Sequence, residues 1–528
     1  MLIFGIYEHI LIVLFLHFCF KYFLKKLFMK IKGIIAICLF CSTLVFGQKK
    51  PNIVLIFTDD QTYSSIHALG NKEIITPNMD KMVEEGTTFT HAYNMGAWSG
   101  AVCAASRAMM ISGRFVWRAN EFRHNWKGNN SEALDKSWSK ILESSGYETY
   151  MTGKWHVDAP AKKIFNNVLN QRHGMPGDAW RGKEMTAQFK ADPSLKVSGS
   201  GKIMPIGYNR PLNENDTLWS PTDTARGGYW KGGKHWTEVL KDDAVNFIEQ
   251  AKTKEDPFFM YLAFNAPHDP RQAPQEFIDM YPLDSISLPK SYLPEYPFRH
   301  SIANGNYLRD EALAPFPRTE YAIKTHTQEY YASITHVDTQ IGLILDALKK
   351  SGKMDNTYIF FTADHGLAMG RHGLLGKQSL FDHSIRPPMI VMGPDIPKNN
   401  KVDADVYLQD VMATSIEIAG VEKPDYVEFN SFLDLAKGAT KKSHYEAIYG
   451  AYLNVNRMIR KDNFKLLVYP EINKVLLFDL QNDPEEMNDI SDDIANKSKV
   501  KSLFKELLEL QKDMNDPLDL NNIYLSLN

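Results

Sequence analysis

The chain is poor in cysteine, with four in 528 residues. Three of them, Cys19, Cys38 and Cys41, fall in an apolar N-terminal stretch. If that stretch is removed on export, Cys103 stands alone, and no disulfide can staple the rest of the chain. A lone cysteine is ordinarily a small buried hydrophobe; the residues around Cys103 reverse that reading. Excess positive charge is also missing: 60 Lys and Arg face 63 Asp and Glu, for a net charge of −3 and a pI near 6.6. This excludes the basic footprint of a nucleic-acid binder, although a few cations at one spot suffice for an anionic substrate. There is no internal repeat. With 44% hydrophobic and 23% charged residues, the composition excludes a disordered or fibrous chain. The length exceeds one simple core and predicts a large domain plus a smaller one.

The N-terminus reads as a leader, residues 1–47. Met29-Lys30-Ile31-Lys32 is a short basic stretch, and Gly33 to Phe46 is an apolar run too short to span a bilayer comfortably. Val45-Phe46-Gly47 then offers small residues before Gln48, as a signal peptidase requires. Residues 1–28 form a second apolar stretch, broken by Glu8 and His9 and followed by Lys21, Lys25 and Lys26. Two readings stand: Met29 is the true start, or residues 1–28 are a membrane anchor. Phe40 is too bulky for Cys41 to be a lipidation site. The expectation is an exported protein, periplasmic or secreted.

Beyond the leader, short β-rich runs alternate with helical periodicity, which predicts an α/β fold. Asn52 to Thr58 is an apolar run ending at Asp59-Asp60 and predicts a buried strand. Phe258 to Phe264, Tyr358 to Thr362 and Met389 to Met392 predict three more. Thr76-Pro77 opens a helix with Met79, Met82 and Val83 on one face and Gly86 at its end. Val239 to Ala251 and Ala332 to Leu348 read as amphipathic helices. Residues 186–234, rich in Gly, Pro, Ser and Asn, and 281–325, rich in Pro and aromatics, read as long insertions. All nine tryptophans lie between Trp98 and Trp236; they suit sugar platforms or plain packing. Near residue 425 the pattern changes. Arg457 to Tyr469 and Lys474 to Leu480 predict two antiparallel strands, and Val500, Leu503, Phe504, Leu507 and Leu508 a final amphipathic helix. The expected division is a catalytic domain over 48–425 and a small α+β subdomain over 426–528.

Asp59 and Asp60 fall at the C-terminal end of a predicted strand, the edge where open α/β sheets bind ligands. Taken alone the pair is a turn. A second apolar run, however, ends at Asp364-His365-Gly366. If both strands share a sheet, Asp59, Asp60 and Asp364 converge, and uncompensated carboxylates there would call for a hard cation such as Ca²⁺. His365 could add a nitrogen ligand. Cys103 opens the helical segment that ends at Gly113, so amides and helix dipole there favour an anion. Arg107 is one turn on, on the same face. A nucleophile, a guanidinium and a metal site suit displacement at a tetrahedral oxyanion.

Cys103-Ala104-Ala105-Ser106-Arg107 resembles the signature of the formylglycine-dependent sulfatases, in which Cys is followed by x-Pro-x-Arg. Asn52 to Asp60, Gly153-Lys154-Trp155-His156, Ala266-Pro267-His268-Asp269-Pro270, Asp364-His365-Gly366 with His372-Gly373 and Gly376-Lys377, and Leu477-Phe478-Asp479-Leu480 with Asp483-Pro484-Glu485 resemble further elements of that family, in its order, from about residue 51 to 490. The resemblance implies an alkaline-phosphatase-like fold: a large mixed central sheet flanked by helices, with a smaller C-terminal α+β domain. It implies that Cys103 becomes formylglycine (3-oxoalanine), made by a maturase, and that one Ca²⁺ is held by Asp59, Asp60, Asp364 and His365 together with residue 103. Arg107 would assist the nucleophile, Lys154 and Lys377 would neutralise sulfate oxygens, His268 would protonate the leaving oxygen, and His156 would serve the formylglycine hydroxyl. Arg371, His372, Trp98 and His124 would contact the leaving group. Ala105 departs from the family's Pro, and a radical-type maturase is expected to accept it.

The implied activity is sulfuric ester hydrolysis. Export, long loops and clustered tryptophans lean toward a sulfated polysaccharide or oligosaccharide, of the algal kind such as ulvan or carrageenan. Two alternatives remain open on sequence: a phosphodiester or phosphonate monoester hydrolase of the same architecture, or an unconverted protein that binds sulfated glycans.

Overall fold

The computed structural model describes residues 12–29, 49–128, 130–172, 182–192, 204–229, 233–269 and 271–527. Residues 12–29 form a helix with exposed side chains. No helix among the described residues is long and apolar enough to cross a membrane. The expected signal segment, Gly33 to Gly47, lies outside the described residues.

Residues 51–528 form one compact unit. Its centre is an eight-stranded mixed sheet in the order Asn400–Val402, Thr87–Phe89, Met389–Met392, Thr357–Ala363, Asn52–Thr58, Phe258–Ala263, Glu148–Lys154, Asn167–Arg172. The four strands 357–363, 52–58, 258–263 and 148–154 are mutually parallel neighbours. Both faces of Asn52–Thr58 are covered: Ile53, Leu55 and Phe57 point into one core, Val54 and Ile56 into the other. A strand buried on both faces must be apolar throughout, which is why it reads as a run rather than an alternation.

The register places the site. Thr58 pairs with Ala363, so Asp59 and Asp364 leave the sheet side by side. Gly153 pairs with Ala263 on the other flank, which brings Lys154 level with the turn that carries His268. Gly153 itself has φ +93, and a Cβ there would lie 2.0 Å from the Ala263 carbonyl oxygen. Only glycine fits that position, and the pairing irregularity beside it turns Lys154 toward the sheet edge.

A second sheet runs in the order Lys474–Asp479, Phe464–Tyr469, Asn456–Lys461, Ile448–Tyr452, Gly96–Ala97. Its first four strands are antiparallel; Gly96–Ala97 joins parallel to Ile448–Tyr452. The smaller C-terminal part therefore borrows a strand from the first half of the chain, and no clean cut falls at residue 425. The helix Lys497–Asp513 buries Val500, Leu503, Phe504 and Leu507 as expected.

Five findings refine these expectations. Arg457 to Tyr469 is not one strand but a hairpin turning at Asp462 (φ 48°) and Asn463 (φ 63°). Two left-handed residues make a turn whose twist matches the flanking strands. The strand Ile448–Tyr452 was not foreseen. The aromatic-rich insertion ends at Thr319, where Glu320–Lys350 begins as a helix capped by the Thr319 side chain. Within the other insertion, residues 186–191 lie in the helix Gly182–Ala191, and 193–203 lie outside the described residues. Trp126, Trp138, Trp155 and Trp236 are fully buried core residues rather than sugar platforms.

Candidate active site

Cys103 is the second residue of the helix Val102–Ser112, which Gly113 ends in a left-handed cap. Its side chain is buried and points to the edge formed by the four parallel strands. The Sγ lies 3.3 Å from Lys377 Nζ, 3.3 Å from His365 Nε2 and 3.9 Å from an Asp60 carboxylate oxygen. Burial alone would raise the thiol; Lys154, Lys377 and His365 instead hold it well below its ordinary value.

Around Cys103 the carboxylates converge as expected. Asp59 and Asp60 follow one central strand and Asp364 follows its neighbour; all three are fully buried. Asp60 adopts φ +66, unusual outside glycine, and its N–H donates to Asp364 Oδ1 at 3.2 Å. Arg107 donates from Nε to Asp364 at 2.9 Å and from Nη1 to the Lys154 carbonyl at 2.9 Å. Lys154 pairs with Asp59. Lys377 Nζ donates to both Asp60 oxygens, at 2.7 and 2.9 Å. Burial, and after it the Asp364 charge, push the Asp59 carboxyl well above the usual carboxylate range. Burial would also raise Asp364, but His365 and Arg107 hold it below that range. Burial would lower His365, yet Asp364 and its neighbours lift it to about 9.

This set fits a hard cation. Asp59, Asp60, Cys103 and His365 offer buried ligand atoms within 4.8 Å of one another. Among the described residues, Asp59 Oδ1 has no hydrogen-bond partner, nor does Arg107 Nη2 3.8 Å away. A buried carboxylate oxygen without a donor is costly unless a ligand completes it, and carboxylate-rich donor sets suit Ca²⁺. Asp364, expected as a ligand, adjoins the cluster with Oδ1 3.5 Å from His365 Nε2.

His156 and His268 complete the rim. His156 lies beside Cys103, and burial pushes its imidazole down. His268 is buried, with Nδ1 donating to the Asp269 carbonyl at 2.7 Å and Nε2 3.8 Å from Asp60. The bond at Nδ1 fixes the ring and leaves Nε2 facing the site.

The four expected leaving-group contacts are not gathered here. His372 stacks on Phe381 with ring centroids 4.1 Å apart and bonds the Glu486 carbonyl at 3.0 Å; it joins the second sheet to the catalytic part. Arg371 faces Ser64 and Glu485 and lines a separate cavity of about 440 Å³ that no residue around Cys103 borders. His124 is exposed on its helix, and Trp98 lies under the Arg123 guanidinium. Conversely, sequence reasoning missed Arg309 and Asp310. Arg309 Nη2 donates to His268 Nε2 at 3.1 Å, and Asp310 lies 3.6 Å from Lys377 Nζ. The one available signal was the charged triplet Arg309-Asp310-Glu311 inside a loop rich in proline and aromatics.

Comparison with known proteins agrees with this geometry. An arylsulfatase of Clostridium perfringens is 29% identical over 471 residues, 87% of this chain and 94% of that protein. An N-acetylglucosamine-6-O-sulfatase of Bacteroides thetaiotaomicron is 26% identical, covering 89% of this chain and 87% of its own. Among solved structures, Ps i-CgsB in complex with k-i-k-neocarrahexaose superposes with a TM-score of 0.60 at 25% identity, over 89% of this chain and 94% of that one. The family model for the C-terminal part of N-sulphoglucosamine sulphohydrolase matches residues 370–513. The Sulfatase family model matches residues 51–421, well over half of the sequence and every residue of the cluster around Cys103: the chain belongs to the sulfatase family and is a sulfuric ester hydrolase.

Proposed function

We propose that Cys103 is converted to formylglycine, that Asp59, Asp60, Asp364 and His365 hold one Ca²⁺ beside it, and that the exported enzyme removes sulfate from a sulfated polysaccharide or oligosaccharide. One observation carries this reading. Cys103 sits at a helix N-terminus, within 3.3 Å of a buried lysine and a buried histidine, against a carboxylate cluster with one oxygen that lacks a hydrogen-bond partner among the described residues. When bound, the cation would supply Lewis-acid charge at a sulfate oxygen, and the hydrated aldehyde a nucleophile with a second hydroxyl through which sulfate can leave.

The chain's own residues do the rest. Lys154 and Lys377 are both buried and placed to neutralise sulfate oxygens as charge develops. Arg107 fixes Asp364 and Lys154 relative to Cys103. His156 serves the hydroxyl at position 103. His268 has Nδ1 committed to a backbone carbonyl and Nε2 accepting from Arg309 at rest; once protonated, Nε2 would leave Arg309 and donate to the leaving oxygen. Ala105 lies in the segment a converting enzyme would read, and a radical-type maturase is the proposed partner.

For the substrate, support comes from the relatives: one is an N-acetylglucosamine-6-O-sulfatase and one similar structure holds a neocarrahexaose. We favour an algal-type glycan such as carrageenan or ulvan. Peptide mass spectrometry across Cys103, on protein made with a competent maturase, tests the first step. Conversion of thiol to carbonyl, the group on which covalent catalysis would rest, lowers the peptide mass by about 18 Da. An unmodified cysteine in active protein would sink the mechanism. Rates on sulfated carrageenan and ulvan oligosaccharides, set against an aryl phosphodiester, test the substrate; a phosphodiester preference would move the assignment to that chemistry.

A further inference from the structure

The loop Arg309-Asp310-Glu311 touches the site from a segment far from every expected motif. Glu311 is fully buried and accepts hydrogen bonds from the backbone N–H groups of Leu375 and Gly376, the two residues before Lys377. Its other tie is to the buried Arg318. Asp310 is 2% exposed. It accepts from Gln378 Nε2 at 2.6 Å and lies 3.6 Å from Lys377 Nζ. Arg309 donates from Nε and Nη2 to Asp310 Oδ1, at 2.9 and 2.7 Å. Its Nη2 also donates to the unprotonated His268 Nε2 at 3.1 Å, which presets the ring at rest before that nitrogen takes up a proton, and lies 3.5 Å from Asp269. One short loop thus holds the turn before Lys377, the lysine itself and the ring that faces the leaving oxygen.

We propose that Arg309 and Asp310 are positioning residues: Asp310 sets Lys377, and Arg309, anchored on Asp310, sets the ring of His268, so that the sulfate clamp and the leaving-group side of the site are fixed to one strut. This rests on the sulfatase reading above. The geometry supports a strut rather than a separate anion reader. Arg309 already faces two carboxylates, Asp269 and Asp310, and only a fifth of its side chain is exposed. Burial would raise Asp310, yet Arg309 and Lys377 hold it far below the carboxylate range, so it remains the negative hub between two cations.

The division of labour has a kinetic signature. Proton donation to the leaving oxygen matters most when that oxygen is a poor leaving group, whereas clamping the sulfate matters for every ester. The experiment compares wild type, Arg309→Met, Arg309→Lys and Asp310→Asn on 4-nitrophenyl sulfate and on unsubstituted phenyl sulfate. Arg309→Met should lose on the order of 10- to 100-fold in kcat on phenyl sulfate, a share of the usual general-acid contribution. Its loss on 4-nitrophenyl sulfate should be about ten times smaller. Arg309→Lys, which keeps a donor, should recover part of the phenyl sulfate rate. Asp310→Asn should lower both rates alike, because it frees Lys377 as well. Thermal midpoints separate misfolding from misplacement. Equal losses on both esters in Arg309→Met, or no loss at all, would overturn the Arg309 half; a loss confined to phenyl sulfate in Asp310→Asn would overturn the other. If wild type turns over neither these esters nor the sulfated oligosaccharides, it is the underlying sulfatase reading that fails, not the strut.

Discussion

Arg107 and Arg457 are both fully buried, and they are buried differently. Arg457, in the second sheet, clasps Asp516 with Nε and Nη2 at 2.6 and 2.7 Å and spends Nη1 on the carbonyls of Leu453 and Asn456. Asp516 is further held by Tyr449, Gln511 and the Leu518 N–H. Each end of that pair is complete. Arg107, at the catalytic edge, leaves Nη2 without a hydrogen-bond partner among the described residues, 3.8 Å from an Asp59 oxygen that likewise lacks one. The protein's interior tolerates buried charge in both places. A closed network stabilises the fold, whereas a network with unmet atoms is arranged around something that arrives later.

The contrast can be broken by mutation. The largest effect is expected from Cys103→Ala, which should abolish sulfatase turnover by on the order of 10⁴-fold or more while leaving the thermal midpoint close to wild type. Next is Arg457→Ala. Removing one partner of a fully buried pair costs about 3–5 kcal/mol, so urea unfolding should shift strongly while kcat per folded molecule is retained. Arg107→Lys keeps the charge and loses the fork. We expect a loss of about 10²–10³ in kcat with a smaller stability change than Arg457→Ala; the reverse ranking would erase the distinction. Calcium should then separate the regions again. At a hundred times its Kd, the ion should add about 2.7 kcal/mol of stability over a chelated sample. Arg457→Ala should keep that increment and Asp59→Asn should lose it.

A pH slope is expected at the seam between the two sheets. Burial pushes the His372 imidazole from 6.5 down to about 4. A group whose folded pKa is depressed contributes stability above its unfolded value, and that contribution is lost as pH falls through the folded one. Thermal midpoints should therefore decline between pH 6.5 and 4, and His372→Gln should flatten part of the decline.

Much of this organisation was legible in the sequence. Asn52–Thr58 and Thr357–Ala363 are buried on both faces, so they appear as unbroken apolar runs, and the charge that follows each run marks the sheet edge. Cys103 and Arg107 were legible because one helical turn fixes their spacing. The hairpin at Asp462-Asn463 was not, because the strands on either side share one apolar pattern and the turn is only two residues long. His372 was misread because adjacency to a motif says nothing about which way a ring faces; here Phe381 and the Glu486 carbonyl draw it away. Arg309 and Asp310 were invisible for a deeper reason. They act from an irregular loop with no periodicity, and Arg309 meets His268 across 41 residues, a distance that no local pattern encodes.

The strand Gly96–Ala97 carries a consequence for synthesis. Its partners, Ala451 and Tyr452, are made about 350 residues later, roughly 20–70 s at 5–20 residues per second. The nearby strands Thr87–Phe89 and Ala92–Tyr93 also wait for late partners, Met389–Met392, Asn400–Val402 and Val406–Tyr407. The stretch that leads into Cys103 is therefore the last part of the catalytic half to be locked down, and chain topology alone gives it a long interval of accessibility on the way out of the ribosome.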